Sequence, residues 1–471
     1  MSGAESPRSP AVEQAPVIQP VSADSSALLA LHAAFPDRYP ALFESAAAGN
    51  ARTRFDILFA YPQGQLALLR DGTLSGRTHA AGGQFLPALD HWWQAERVRA
   101  SAHNELPFSG GWLLYLGYEL AGEIEPRLRL PLPGAGPIAA AIRVPAAIIH
   151  ERHSGQSWLV VEAAFEPLLT RMANDLAHVP ALRAPGVPLV SGGVSEDAPD
   201  RFLRSVERAL EYIADGDVYQ ANLSRSWQAK LTAGVTPQHL YQRLRETNPA
   251  PFSGIVRLEG ITIVSSSPER LVSVRDGQVS TRPIAGTRPR GQTAAADVDL
   301  ARELHAHPKE RAEHVMLIDL ERNDLGRICE AGTVKVDELM TIESYAHVHH
   351  IVSNVSGTLR SDATPGDVLR AVFPGGTITG CPKVRCMEII AELEGVARGA
   401  YTGSFGYLNR DGSMDTNILI RSLEVAGDRL TLRAGAGIVA DSVPERELAE
   451  TRAKARGVLR ALGSDTEGAG P

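Results

Sequence analysis

The chain has 471 residues, 44% of them hydrophobic and 22% charged, with a net charge of −8. Such a length suits two to four units of roughly 100–200 residues, and ordinary globular usage excludes global disorder. The acidic balance argues against a nucleic-acid partner. Three cysteines are too few for a disulfide framework and point to a reducing compartment such as the cytoplasm. No apolar run reaches the ~18 residues of a membrane helix.

Residues 1–26 are rich in Ser, Pro, Ala and Glu and lack the basic start and apolar middle of a secretory signal, so they read as a disordered tail. A first folded region, 27–183, carries strand-like runs at 55–60, 64–69, 110–118, 146–150 and 158–161. A Pro/Gly/Ser-rich linker follows at 184–199. The denser region 200–462 opens with a helix over about 201–213. Asp276-Gly277, Asp411-Gly412 and Gly427-Asp428 are hairpin signals. Residues 463–471 read as a second tail.

Two helices place charge where apolar residues are expected. In 310–320, Glu313 falls on the stripe of Met316, Leu317 and Leu320. In 444–462, Glu447, Glu450 and Lys454 share a face with Val458, Ala461 and Leu462. A lone buried carboxylate is costly without a partner. Two inward carboxylates from separate helices suit Mg²⁺, which uses one or two protein carboxylates beside water and substrate. A buried ion pair or a solvated rim would explain the same pattern.

The run Phe373-Pro374-Gly375-Gly376-Thr377-Ile378-Thr379-Gly380-Cys381-Pro382-Lys383 precedes a helix-like segment. Its amides suit an anion, although the spacing is not that of a nucleotide-binding loop. Ala434-Gly435-Ala436-Gly437 follows a strand and offers backbone amides of the same kind. A tight turn explains either run equally well. Arg421, ending a strand-like 417–420, suits two-point pairing with a carboxylate, and Tyr401 offers a second donor; a surface Arg on an edge strand is the plainer alternative. In 347–350, His347 and His349 share one face and His350 the other. No matching Cys/His set supports zinc, which leaves hydrogen bonding or acid/base work. Cys381 and Cys386 read as a structural pair. These residues describe an acidic α/β-type protein suited to a small dianion with Mg²⁺.

The motifs together resemble those of the chorismate-utilising enzymes. The resemblance runs through Asp217-Val218-Tyr219-Gln220-Ala221-Asn222-Leu223-Ser224, Ser267-Pro268-Glu269-Arg270 and Arg282-Pro283-Ile284-Ala285-Gly286-Thr287-Arg288. It continues in Lys309-Glu310-Arg311-Ala312-Glu313-His314, Leu320-Glu321-Arg322-Asn323-Asp324, the Gly-rich Pro-Lys segment, and Asp441-Ser442-Val443-Pro444-Glu445. The order matches across about 200–462. The implied fold is α+β, two large facing antiparallel sheets flanked by helices. The resemblance makes Glu313 and Glu450 Mg²⁺ ligands, and gives Tyr401, Arg421 and the Gly437 amide the ring carboxylate of chorismate. Lys454 would meet the enolpyruvyl carboxylate, with Gln220, Thr377 and Gly435 also lining the substrate. Glu269 would protonate the departing C4 hydroxyl, and His350 would support the chemistry beside the ring. Residues 27–183 resemble the accessory region of two members, anthranilate synthase and aminodeoxychorismate synthase. Leu42-Phe43-Glu44-Ser45 resembles their tryptophan-binding motif, with Phe43 in place of the usual second Leu.

Two positions and three longer segments bear on which reaction is expected. Relatives that add water carry a lysine where this chain has Gln220, which favours ammonia supplied by a separate glutamine amidotransferase. Ala285 stands where many aminodeoxychorismate synthases carry a nucleophilic lysine, and favours anthranilate synthase. The 375–380 turn, 403–408 and the compact N-terminal half look more like aminodeoxychorismate synthase component I. That is the preferred expectation, with anthranilate synthase component I the alternative.

Overall fold

The computed structural model describes residues 15–46, 54–77, 83–99, 105–291, 293–344 and 348–463. His347 and most of both expected tails lie outside these residues. Among the described residues two antiparallel sheets dominate, of 12 and 11 strands.

The first sheet runs Val17–Val21, Ser157–Val161, Ala146–Glu151, Phe55–Ala60, Ala41–Glu44, Phe252–Leu258, Ile261–Ser267, Ser422–Ala426, Arg429–Ile438, Gln220–Leu231 and Val190–Glu196, with Gly380–Cys381 also paired to Gln220–Leu231. The second runs Ile284–Pro289, Val348–Thr358, Gln278–Thr281, Arg270–Arg275, Met414–Asn417, Ser404–Asn409, Gly111–Leu116, Ala139–Val144, Gly64–Leu68 and Leu74–Gly76, with Lys335–Ser344 also paired to Val348–Thr358. Alternating side chains let each strand serve two cores. Ala41, Ile57, Phe59 and Ile263 of the first sheet meet Leu113, Tyr115, Ile142 and Phe405 of the second. The opposite face of the first sheet sends Leu42, Leu58 and Val264 against helices Ser25–Ala34, Pro237–Thr247 and Pro444–Ala461. Helices Phe85–Glu96, Pro308–Gly326 and Pro365–Val372 cover the second sheet. Facing sheets with helices outside are the architecture that the resemblance implied.

The boundaries differ from the sequence reading in three places. Val17–Val21, inside the expected tail, pairs with Ser157–Val161 as an edge strand; Pro20 is tolerated because an edge has one unpaired side. Val190–Glu196, inside the expected linker, pairs with Gln220–Leu231. A register shift between Ser191 and Ser195 accommodates Gly192 and Gly193, both at positive φ, so a bulged edge strand has the composition of a linker. Nor do 27–183 and 200–462 form separate layers. Ala41–Glu44 pairs with Phe252–Leu258, and Gly111–Leu116 with Ser404–Asn409.

The three expected hairpins are present. Asp276 and Gly277 both have positive φ, as a tight two-residue turn between right-twisted strands requires.

Candidate active site

The site forms where the chain crosses between sheets. Ile261–Ser267 belongs to the first sheet and Arg270–Arg275 to the second, with Pro268 and Glu269 between them. Met414–Asn417 belongs to the second and Ser422–Ala426 to the first, with residues 418–421 between. Arg421 therefore ends a crossover rather than the strand expected over 417–420. The two crossovers are laced together: Ile418 N donates to Glu269 O at 3.0 Å, Ser266 N to Arg421 O at 3.2 Å, and Ser267 Oγ to Ile418 O at 2.5 Å. Arg421 has a φ of 53°, a left-handed conformation costing about 1–3 kcal/mol in a non-glycine residue and often found at functional sites.

Glu269 is 4% exposed. Its Oε1 accepts a hydrogen bond from Thr377 Oγ1 at 2.8 Å. Burial pushes the Glu269 carboxyl up to about 7, against the opposing Thr377 bond and the charges of Lys454 and Arg421. A carboxylic acid that keeps its proton near neutrality suits general-acid work. Arg421 is half-buried and feels the Glu269 charge. His350 is held neutral, down to about 3, by burial first and Arg421 second. Its Nδ1 lies 3.4 Å from Gly286 O. Gly286 has a φ of 69° and sits in the bulge that shifts the pairing of Ile284–Pro289 against Val348–Thr358. Ala285 is buried opposite Ile351, beside this bulge.

A second wall comes from paired strands. Asn222 lies opposite Gly437, and Ser224 opposite Gly435. A Cβ on Gly437 would sit 2.4 Å from Gln220 Nε2, and one on Gly435 would sit 2.7 Å from Tyr401 Oη. Both glycines are required because neighbouring side chains occupy that volume. Lys454 Nζ donates to Gly435 O at 3.0 Å and pairs with Glu450 Oε1 at 2.7 Å. Gln220 Nε2 donates to Glu313 Oε1 at 3.4 Å.

The helix faces differ from expectation. The buried stripe of Pro444–Ala461 is Leu448, Thr451, Ala455, Val458, Leu459 and Ala461, so Val458 and Ala461 lie inward as expected. Glu450 and Lys454 flank it with side chains 47% and 44% exposed, because an i,i+4 pair reaches solvent at the stripe's edge. On Pro308–Gly326 the buried residues include His314, Leu317, Ile318, Glu321 and Asp324, with Glu313 half-buried beside them. No group of three or more His, Cys, Asp and Glu side chains is placed to hold a metal among the described residues.

Support comes from Arg398, Glu394 and Arg433, which the sequence did not single out, and from residues of the motifs themselves. Arg398 donates to Glu394 Oε1 at 2.6 Å, Asn222 O at 2.7 Å, Ile378 O at 3.2 Å and Thr402 Oγ1 at 3.3 Å. Its guanidinium carbon lies 5.5 Å from the Tyr401 ring centroid. One buried cation thus ties the glycine turn, the Gln220–Leu231 strand and the Tyr401 loop together. Glu394 also accepts from Arg433 at 2.9 Å and Ser224 N at 2.8 Å. Lys383 pairs with buried Asp324 at 2.5 Å, joining two motifs far apart in sequence. Burial and Asp324 hold neighbouring Glu321 protonated well above the usual carboxylate range.

The tryptophan-motif residues lie elsewhere. Leu42 packs in the core beneath the helices. Glu44 is consumed by Tyr241 at 2.5 Å, Arg245 at 2.9 Å and Arg152 at 3.3 Å. Ser45, Glu44 and Phe43 edge a cavity of about 160 Å³ also lined by Pro251, Phe252 and Ile284. Phe43 stacks on Phe405 with centroids 4.6 Å apart.

A family model described as "chorismate binding enzyme" matches residues 45–460. The chain belongs to the chorismate-binding enzyme family. An anthranilate synthase component I-like protein of Synechocystis is 45% identical over 365 residues, covering 76% of this chain and 74% of that protein. Aminodeoxychorismate synthase component 1 of Bacillus subtilis is 41% identical over 392 residues, covering 81% and 82%. Among solved structures, anthranilate synthase component I from Streptococcus pneumoniae superposes with a TM-score of 0.77 at 33% identity, covering 88% of this chain and 93% of that one. The chain is a chorismate-utilising enzyme. No helix among the described residues is long and apolar enough to cross a membrane.

Proposed function

We propose that this enzyme is aminodeoxychorismate synthase component I, converting chorismate and ammonia to 4-amino-4-deoxychorismate and water for 4-aminobenzoate and folate synthesis. The observation that carries the reading is the Thr377–Glu269 hydrogen bond of 2.8 Å. It joins the turn that most resembles the aminodeoxychorismate branch to the carboxyl proposed to act at C4. Glu269 gives its proton to the C4 hydroxyl, which leaves as water. Tyr401, Arg421 and the Gly437 amide hold the ring carboxylate, and Lys454 the enolpyruvyl carboxylate. His350, neutral and tethered at Gly286 O, lines the ring without adding charge. A glutamine amidotransferase subunit in the cytoplasm supplies ammonia.

Glu313 and Glu450 would hold Mg²⁺. Their chemistry fits, since two hard carboxylate oxygens are what this ion takes from a protein when a substrate completes its shell. The cation would supply charge neutralisation to the substrate carboxylates. Tryptophan is proposed for the cavity edged by Ser45, where Phe43 stacked on Phe405 narrows the space.

Ala285 favours a second reading, anthranilate synthase component I, because its methyl group offers C2 no nucleophile. Product identification separates the two. The purified chain is incubated with chorismate, Mg²⁺ and ammonium salt at alkaline pH, and products are resolved by chromatography with mass detection. An amine product retaining the enolpyruvyl group, yielding 4-aminobenzoate with added lyase, supports the first. Anthranilate with released pyruvate overturns it.

A further inference from the structure

Tyr401 follows a turn that no helix or strand holds. The helix Lys383–Glu394 stops at Gly395, and the next strand starts at Ser404. The amides between them go to two acids from distant elements. Glu119 lies in the short 3₁₀ turn Tyr118–Leu120, just after the strand Gly111–Leu116. It accepts from Arg398 N at 2.8 Å through Oε1 and from Gly399 N at 3.2 Å through Oε2. Glu424, on Ser422–Ala426, accepts from Ala400 N at 3.1 Å. Tyr118 N adds a bond to Gly399 O at 2.9 Å, and Tyr401 N donates back to Arg398 O at 3.1 Å. The Arg398 guanidinium carbon lies 4.9 Å from the Tyr118 ring centroid and 5.5 Å from that of Tyr401. Three successive amides and the ring after them are thus fixed from two sides.

This arrangement is costly. Glu119 is 6% exposed. Burial pushes its carboxyl up to about 7 against the pull of the amides, and the charge of Glu424 adds to the rise. Gly399 has a φ of 59°, and a Cβ there would sit 2.7 Å from Glu424 Oε2. Buried acids are tolerated where charge-assisted hydrogen bonds satisfy them, and two of them on one three-residue turn hold it in a single conformation. The ring so held ends at the glycine trough, where a Cβ on Gly435 would sit 2.7 Å from Tyr401 Oη.

We infer that Glu119 and Glu424 are positioning residues for Tyr401, an inference that rests on the assignment of Tyr401 to the ring carboxylate above. Every substrate residue named above comes from 220–454, so through Glu119 the N-terminal half sets the fit of chorismate. The ring carboxylate does not react, so its grip is equal in ground and transition states. Loss of the grip is read in KM and not in kcat.

The test is the initial rate of chorismate consumption by the full chain with Mg²⁺ and saturating ammonium chloride at fixed alkaline pH, a readout indifferent to which product forms. Glu119→Ala and Glu424→Ala are each expected to raise KM for chorismate about tenfold, with kcat within about twofold. Glu119→Gln, whose Oε1 still accepts, is expected to stay within about threefold of wild type. Tyr401→Phe is expected to raise KM about tenfold alone, and adding Glu119→Ala to it should cost less than about twofold more, because the two act through one contact. Circular dichroism checks folding, and the two acids read independently, so misfolding of one variant leaves the other decisive. With Tyr401→Phe impaired, an unchanged KM in the folded acid variants overturns the positioning and leaves the Tyr401 assignment standing. So does a loss confined to kcat, or an equal rise in both backgrounds. If Tyr401→Phe keeps a normal KM, the carboxylate assignment fails, and the positioning with it.

Discussion

The hydroxyl of Thr377 reaches Glu269 across 2.8 Å, so the glycine turn and the sheet crossover meet at one carboxyl oxygen. Glu269 needs its proton to act as an acid, and burial places its titration near 7. Glutamine-supported turnover should therefore fall as pH rises through about 7, since the folded carboxyl then loses the proton it must give. Glu269→Gln should cut kcat by about 10²–10⁴ with little change in chorismate binding. Near-normal turnover would assign the acid elsewhere.

Glu313→Gln and Glu450→Gln should each raise the Mg²⁺ concentration for half-maximal activity by at least tenfold. A magnesium titration of initial rate reads this directly. Because Glu450 also pairs with Lys454, its variant should additionally alter KM for chorismate. An unaltered magnesium curve in both would remove them from the metal site.

Arg398→Met should destabilise the chain by about 3–5 kcal/mol, because Glu394 would stay buried with one of its cations gone. Urea denaturation followed by circular dichroism measures the loss. Retention of wild-type stability would show that Arg433 alone satisfies Glu394.

Glu321 supplies a pH signature of folding. Its folded carboxyl titrates above the unfolded value, so the native state binds the extra proton. Its contribution is complete below the ordinary carboxylate range and is lost as pH rises toward the folded value. Glu321→Gln should flatten the fall of Tm between pH 5 and about 8. An identical slope in both proteins would reject the assignment.

Ala285→Lys asks whether this buried position faces C2 of the ring. Intact-protein mass spectrometry after incubation with chorismate should find a covalent adduct on the lysine variant and none on the wild type. No adduct on a folded variant would show that the bulge at Gly286 turns this side chain away.

Glu269 was legible as a site candidate because it sits in the contiguous run Ser267-Pro268-Glu269-Arg270, whereas Arg421 and Lys454 were placed from a strand end and a helix face. Arg398 was not legible, since its partners Glu394, Asn222 and Thr402 come from separate elements and only folding brings them together. Helix periodicity misplaced Glu450 because an i,i+4 pair at a stripe's edge has nearly the same spacing as one inside it. The edge strands at 17–21 and 190–196 were missed because one-sided pairing tolerates the Pro and Gly that mark linkers elsewhere. Phe43 was read as a departure in a binding motif, and its stack on Phe405 gives that departure a physical meaning.

The interleaving of early and late strands has a consequence for how the molecule is made. Gly111–Leu116 is flanked by Ala139–Val144 and by Ser404–Asn409, so one of its edges waits for a segment synthesised much later in the chain. The N-terminal half then leaves the ribosome with an open, apolar strand edge, the kind of surface that chaperones cover and that aggregates when left exposed. No early cut of the gene yields a finished half, and heterologous yield should depend on chaperone supply and on slow, cool expression more than on the final stability of the enzyme.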